Sequence, residues 1–202
     1  MRSIRSFFSA LIVLVAGIAL IVISAVEMTD YSRKAEDFSQ LTISDIKEGM
    51  MIEGDLPYNY GSYEYIKKDK EKEGFGYYYL IDVNTTGFMG LYTNIDELIA
   101  KLDRQSEITN RIESFDQIDK VPSVHFKGKV TRMDDEDSQY YMDAISGDME
   151  LDSEYIEEYC PKLYIKCIDT SSHPFMLVIG SVCTLAGVVL MFLFVRRKLI
   201  GR

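Results

Sequence analysis

Residues 75–92 read FGYYYLIDVNTTGFMGLY. Aromatic and β-branched side chains fit a pleated, half-buried surface, so Phe75 to Val83 predicts a strand. Asn84-Thr85-Thr86-Gly87 predicts a tight turn, and Phe88 to Tyr92 returns as the hairpin partner. The period then changes from two to 3.6. Asn94 with Glu97 makes a capping-box-like start, and Ile95, Leu98, Ile99, Leu102, Ile108 and Ile112 fall mostly on one helical face. A hairpin followed by an amphipathic helix that packs on it sets the class as α+β.

Upstream, Met50 to Leu56 has strand composition and Pro57 stops it. Tyr58 and Tyr60, then Tyr63 and Tyr65, alternate in two registers offset by Gly61-Ser62, which predicts a strand with a glycine bulge. Thr29 to Phe38 reads as a short polar helix, and Ser44 to Gly49 as a capped turn ending in glycine. Lys67 to Gly74 is a mixed-charge loop. Downstream, Val124 to Met133 predicts a strand and Asp134-Asp135-Glu136-Asp137 a helix start, where acids suit the helix dipole. Gly147 ends that helix. Ser153 to Tyr159 is a further helical turn, and Leu163 to Ile168 a last strand. The expected domain has a mainly antiparallel sheet of about five to six strands and two to three helices.

The two ends of the chain are different. Ser6 to Val26 and Pro174 to Val195 are 21 and 22 residues without a charge. At about 1.5 Å per residue, about 20 helical residues cross the hydrocarbon core of a bilayer, where backbone polar groups find no outside partner. This sets residues 7–26 and 174–195 as transmembrane helices, 27–173 as the domain between them, and 1–6 and 196–202 as tails. A cleaved signal peptide is the other reading of the first run, with Arg2 and Arg5 as its basic start. Its apolar stretch exceeds the usual core of about 7–15 residues, and Ile23-Ser24-Ala25 is a poor cleavage site.

Charge fixes the expected sidedness. All 32 acidic residues lie between Glu27 and Asp169, whereas 6 of the 22 basic residues, Arg2, Arg5, Arg196, Arg197, Lys198 and Arg202, lie in the tails. The tails carry +6 and the stretch between them −16, which together give the overall −10. Basic flanks face the cytoplasm. Both termini are therefore expected inside a plasma membrane, with residues 27–173 extracytoplasmic. An acidic domain also repels a polyanion, so nucleic acid is not an expected partner. The lipid bilayer and another membrane or envelope protein are. Gly180, Cys183, Thr184 and Gly187 form small-xxx-small pairs that permit close helix contact, either with the first span or with a second copy in a homo-oligomer.

Tyr58, Tyr60, Tyr63 and Tyr65 are the candidate binding residues. Tyrosine has an apolar body and a polar tip, which suits a partly wet groove, although aromatics also favour plain sheet packing. Cys160 and Cys167 are candidates for a disulfide; along one extended strand their Cα atoms would stand about 23 Å apart, so pairing requires an intervening turn. No metal site is expected: Asp134 to Asp137 lacks the spacing of a calcium loop and reads as a charged helix start. No cofactor and no catalytic set is expected either. His125 shares its strand face with Lys127 and Lys129, which marks a solvent face, and His173 marks the membrane interface. Neither span holds an ionisable group that would carry protons or ions.

The stretches GMMIEGDLPYNYGSYEY (49–65), GYYYLIDV (76–83) and GFMGLYTNIDEL (87–98) resemble an uncharacterised family of two-span bacterial membrane proteins from low-GC Gram-positive bacteria. The resemblance covers about two-thirds of the chain and implies the architecture and a bacterial plasma membrane, without adding a site. The functional expectation is a membrane-anchored, non-enzymatic binding or interaction module, an accessory or sensing subunit of a membrane complex. The alternative is an extracytoplasmic enzyme that uses carboxylates. Convergent carboxylates in a pocket would favour the enzyme, and a tyrosine patch the module.

Overall fold

The two apolar runs lie within two long helices, α1 (Arg2–Tyr31) and α5 (His173–Ile200). In the computed structural model, which describes residues 2–66, 76–112, 120–148 and 153–200, their segments Phe7–Tyr31 and His173–Arg196 are long and apolar enough to cross a membrane. The two helices pack together. A Cβ added at Gly17 would stand 2.6 Å from Thr184 Oγ1 and 2.8 Å from the Gly180 carbonyl oxygen, and one at Gly187 would stand 2.8 Å from Leu14 Cα. Glycine is thus needed for the backbones to come this close. The small-residue stripe is used inside the chain. Phe7 and Phe194 close one end, with ring centroids 5.4 Å apart. Near the other end the buried His173 pairs through Nε2 with the Glu27 carboxylate.

Residues Arg33–Asp169 form the second unit. Its strands are β1 (Glu36–Asp37), β2 (Met51–Leu56), β3 (Ser62–Ile66), β4 (Gly76–Asp82), β5 (Phe88–Thr93), β6 (Val124–Arg132) and β7 (Leu163–Cys167). They form one mixed sheet in the order β1-β2-β6-β7-β5-β4-β3. The pairs β2–β6, β3–β4, β4–β5 and β6–β7 are antiparallel, whereas β1–β2 and β5–β7 are parallel. The sheet therefore has seven strands, not five to six. The short β1 falls where a polar helix was expected: α1 continues to Tyr31, and the chain then turns into β1 and a 3₁₀ turn at Phe38–Gln40. Among the described residues, this unit holds three α-helices, α2 (Asp96–Thr109), α3 (Asp135–Asp148) and α4 (Ser153–Tyr159).

Alternation along the strands makes two cores. On one face Ile52, Leu56, Tyr79, Ile81, Leu91, Phe126 and Ile165 pack with Phe38 and with Leu98 and Leu102 of α2. On the other, Leu80 and Phe88 pack with Tyr141 and Ile145 of α3 and with Ile156 of α4. Cys167 belongs to the first core and Cys160 to the second, and both thiols are free. The candidate bridge between them is not formed, and the two cysteines lie in separate cores.

The β4–β5 turn is as expected. Asn84 and Thr85 both take positive φ, 49° and 61°, and the Asn84 amide donates to the carbonyls of Phe38 (2.7 Å) and Leu41 (2.8 Å). Residues 57–61, by contrast, are not a strand. A buried polar knot ties them to α2: Asn59 Nδ2 donates to the Leu102 carbonyl (3.0 Å) and to Gln105 Oε1 (2.7 Å), and Gln105 Nε2 donates to the carbonyls of Leu56 (2.8 Å) and Pro122 (3.0 Å). Gly61, at φ +103°, lets the chain turn into β3, and the register irregularity lies at Ser62/Glu64.

Candidate functional site

The face of β4 opposite α2 carries Tyr78, Leu80 and Asp82. Register extends the Tyr78 row across the sheet: Tyr78 stands beside Tyr92, Tyr92 beside Lys166, Lys166 beside Lys129 and Lys129 beside Met51. Tyr164 lies one pleat along β7. Ring centroids of Tyr78 and Tyr92 are 4.9 Å apart, those of Tyr78 and Tyr164 5.2 Å, and those of Tyr92 and Tyr164 6.2 Å. Tyr63 joins from β3, 5.9 Å from Tyr78 and 5.8 Å from Tyr141. The Tyr78 hydroxyl donates to Asp137 Oδ2 at 2.7 Å.

Asp137 comes from the first turn of α3. Asp134 caps that helix, its Oδ1 accepting from the backbone N–H of Glu136 (3.0 Å) and Asp137 (2.9 Å). The acidic run is thus a helix start, and it also presents one carboxylate to the tyrosines. Burial raises the Asp137 carboxyl above its ordinary range, the Tyr78 hydrogen bond opposes this, and Asp134 and Glu136 add to it. The Tyr78 phenol is pushed up, by burial first and by Asp137 second, so it stays a neutral donor.

Four residues further along β4, Asp82 repeats the arrangement. Its carboxylate is hydrogen-bonded by the Tyr58 hydroxyl, and its Oδ1 accepts from the Thr85 N–H at 2.5 Å. Tyr60 packs edge-on against Tyr58 and Phe88, with centroids 5.7 Å from each. Tyr155 of α4 also feels the Asp82 charge. Burial is the main cause that lifts the Asp82 carboxyl.

Of the four tyrosines expected to form a surface, Tyr58 is buried at 8% exposure, so it supports the site from beneath and does not offer a free ring. Tyr60 and Tyr63 are half-buried members of the belt. Tyr65 pairs in register with Tyr77, and its side chain lies outside the described residues. The sequence reading missed Asp82, Asp137, Tyr155 and Tyr164. One signal was present: Asp82 is the only acid in the apolar run Gly76–Val83, at the parity of Tyr78 and Leu80.

Beside the belt, β2 and β6 carry an exposed charged strip. His125 Nδ1 lies 2.9 Å from Asp55 Oδ1 and its Nε2 3.5 Å from Glu53, which also holds Lys127 Nζ at 3.1 Å. Both ring nitrogens of His125 thus face carboxylates on this exposed strip. Burial raises the Cys160 and Cys167 thiols, which makes these two poor nucleophiles. Among the described residues, no group of three or more His, Cys, Asp or Glu side chains is arranged to hold a metal ion.

No curated protein and no solved structure is similar to this chain. A family model matches residues 2–196, both apolar helices included, and the chain therefore belongs to the family described as a domain of unknown function, DUF8577.

Proposed function

We propose that the protein is a two-span plasma-membrane protein of bacterial type, with both termini in the cytoplasm and residues 33–169 on the outer side, and that this sheet domain is a non-enzymatic binding module. The membrane reading is supported by the exposed apolar rows of α1 and α5, among them Ile12, Val15, Val22, Val182 and Leu185, which water would penalise. The basic tails support the orientation. The observation that carries the binding reading is the tyrosine belt, in which Tyr60, Tyr63, Tyr92, Tyr155 and Tyr164 stay half-exposed around two carboxylates. Partly wet aromatic surface of this kind is characteristic of protein interfaces.

A carboxylate-dependent enzyme is the second reading, because Asp82 and Asp137 are both lifted by burial. Against it, each carboxylate is tied to a different tyrosine, Asp137 to Tyr78 and Asp82 to Tyr58.

Photocrosslinking in intact membranes tests the binding reading. A benzophenone side chain at Tyr155 should give a discrete adduct with one partner, and the same group at Lys101, on α2 across the sheet, should not. Equal adducts from both positions would count against the belt. Sidedness is read in the same cells: an impermeant thiol reagent should label a cysteine introduced at Lys101 and leave one at Arg202 untouched.

A further inference from the structure

We propose that His173, with Glu27 and Ser24 of α1, is a proton-operated joint between the two long helices, and that the proton goes on and off at Nδ1 of His173. The inference rests on the paired helices and is independent of the tyrosine belt. His173 is buried at the start of α5, and its Nε2 faces the Glu27 carboxylate. An ionised carboxylate only accepts, so Nε2 carries the N–H and the neutral ring has its lone pair at Nδ1. That atom is buried and has no hydrogen-bond partner.

Ser24 Oγ is a second orphan. Its side chain is buried at 1% exposure and also lacks a partner. A helix hydroxyl can turn back onto the carbonyl four residues earlier, as Thr29, Ser181 and Thr184 do here at 2.7–2.8 Å. Ser24 does not. It precedes Glu27 by one turn on the same face of α1. Ile21, a turn earlier still, packs on Gly180, where an added Cβ would stand 2.9 Å from its Cγ1. Ser24 therefore faces the stretch of α5 between His173 and Gly180.

Histidine changes charge between pH 5 and 8. Uptake of a proton from the medium turns the Nδ1 lone pair into an N–H, breaks no other bond, and makes the contact with Glu27 an ion pair. A buried N–H on a charged ring is costly without an acceptor. Ser24 Oγ is the unpartnered acceptor one turn along α1, and reaching it takes a turn of the ring or a small slide of α1 against α5. The joint thus has two arrangements, and the proton selects between them. The other titratable groups that α1 brings to this end are Asp30 and Tyr31, which have contacts of their own. Before Arg196, α5 adds only the Cys183 thiol. Arg33 and Asp169, next in the chain, are likewise engaged. Both are the chain ends of the sheet domain, so a shift at the joint is passed directly to them.

The test uses the full chain in detergent micelles. Its two histidines, His125 and His173, give two imidazole NMR signals after nitrogen-isotope labelling of histidine. At pH 8 His173 should be the Nε2–H tautomer, and acidification to pH 5 should protonate Nδ1. Ser24→Ala should make that protonation about tenfold harder, because the charged ring loses its acceptor. Spin labels at the exposed positions Val26→Cys and Phe175→Cys, in a Cys183→Ser background, should report two distance populations whose ratio follows the His173 titration. In His173→Gln that ratio should be the same at both pH values. An Nδ1–H tautomer at pH 8, a ratio that pH leaves unchanged, or one that changes equally in His173→Gln overturns the joint. If His173→Gln does not fold, the tautomer and the Ser24→Ala titration decide on their own.

Discussion

The side-chain amide of Asn59 donates to Oε1 of Gln105 at 2.7 Å, and both residues are fully buried. Asn59 Oδ1 in turn accepts from the Gly61 N–H at 2.9 Å. The pair holds the loop that carries Tyr58 and Tyr60 against α2. Asn59→Ala would leave the Leu102 carbonyl and Gln105 Oε1 buried with one donor fewer. The expected loss is about 2–4 kcal/mol, read from denaturant unfolding of the domain. A loss below about 0.5 kcal/mol would mean that water takes over the role.

Thr85 is a β-branched residue in left-handed backbone, at φ +61°. That conformation costs a residue with a Cβ about 1–2 kcal/mol, and a two-residue turn of this hand favours glycine at its second position. Thr85→Gly removes the strain while the Thr85 N–H can still donate to Asp82. The expected gain is about 1 kcal/mol, less the added chain entropy of glycine. An unchanged or lower unfolding midpoint would show that the turn is not strained in solution.

Asp82→Asn has a pH signature. The folded-state pKa of Asp82 is raised above its ordinary 3.8, so the folded protein takes up this proton more readily than the unfolded chain. The group disfavours folding most when ionised, above its raised pKa. That penalty fades as the pH falls toward 3.8. Relative to Asp82→Asn, the wild type should therefore gain stability on acidification between the raised pKa and 3.8. Parallel unfolding curves at all pH values would contradict the assignment.

Gly17→Leu should separate the paired helices, because even a Cβ at Gly17 would lie 2.7 Å from the Thr184 backbone nitrogen. Cysteines replacing Phe7 and Phe194, in a Cys183→Ser background, should be joined within one chain by a short thiol crosslinker. The yield should fall sharply when Gly17→Leu is added. Crosslinking between chains in place of this would point to a dimer built on the same stripe.

What could be read from the sequence was whatever local periodicity encodes. The hairpin around Asn84, helix α2 and the two apolar ends each declare themselves within a window of about 20 residues. Strand β1 could not be read, since Glu36 and Asp37 have no strand character and pair only because Ile52 and Glu53 lie beside them. The fate of Tyr58 was equally hidden. Its side chain is buried because Asn59 is pinned to Gln105 of α2, 46 residues away, a long-range contact with no trace in the local pattern. Asp137 looked like any acid at a helix start, and only the docking of α3 on the sheet brings it to Tyr78.

Strand β7 is the last strand in the sequence, yet it sits in the middle of the sheet, between β6 and β5. Without residues 163–167 the sheet is two separate ribbons, β1-β2-β6 and β5-β4-β3. Completion must therefore wait until synthesis has nearly reached α5, which begins at His173, six residues after Cys167. During biogenesis the nascent domain exposes the two edges that β7 will later occupy. Those edges are open to pairing with other chains for as long as they wait. Synthesis of the second apolar helix and closure of the sheet thus become nearly simultaneous events, and a chain truncated before residue 163 would leave behind an edge-exposed fragment suited to removal by quality-control proteases.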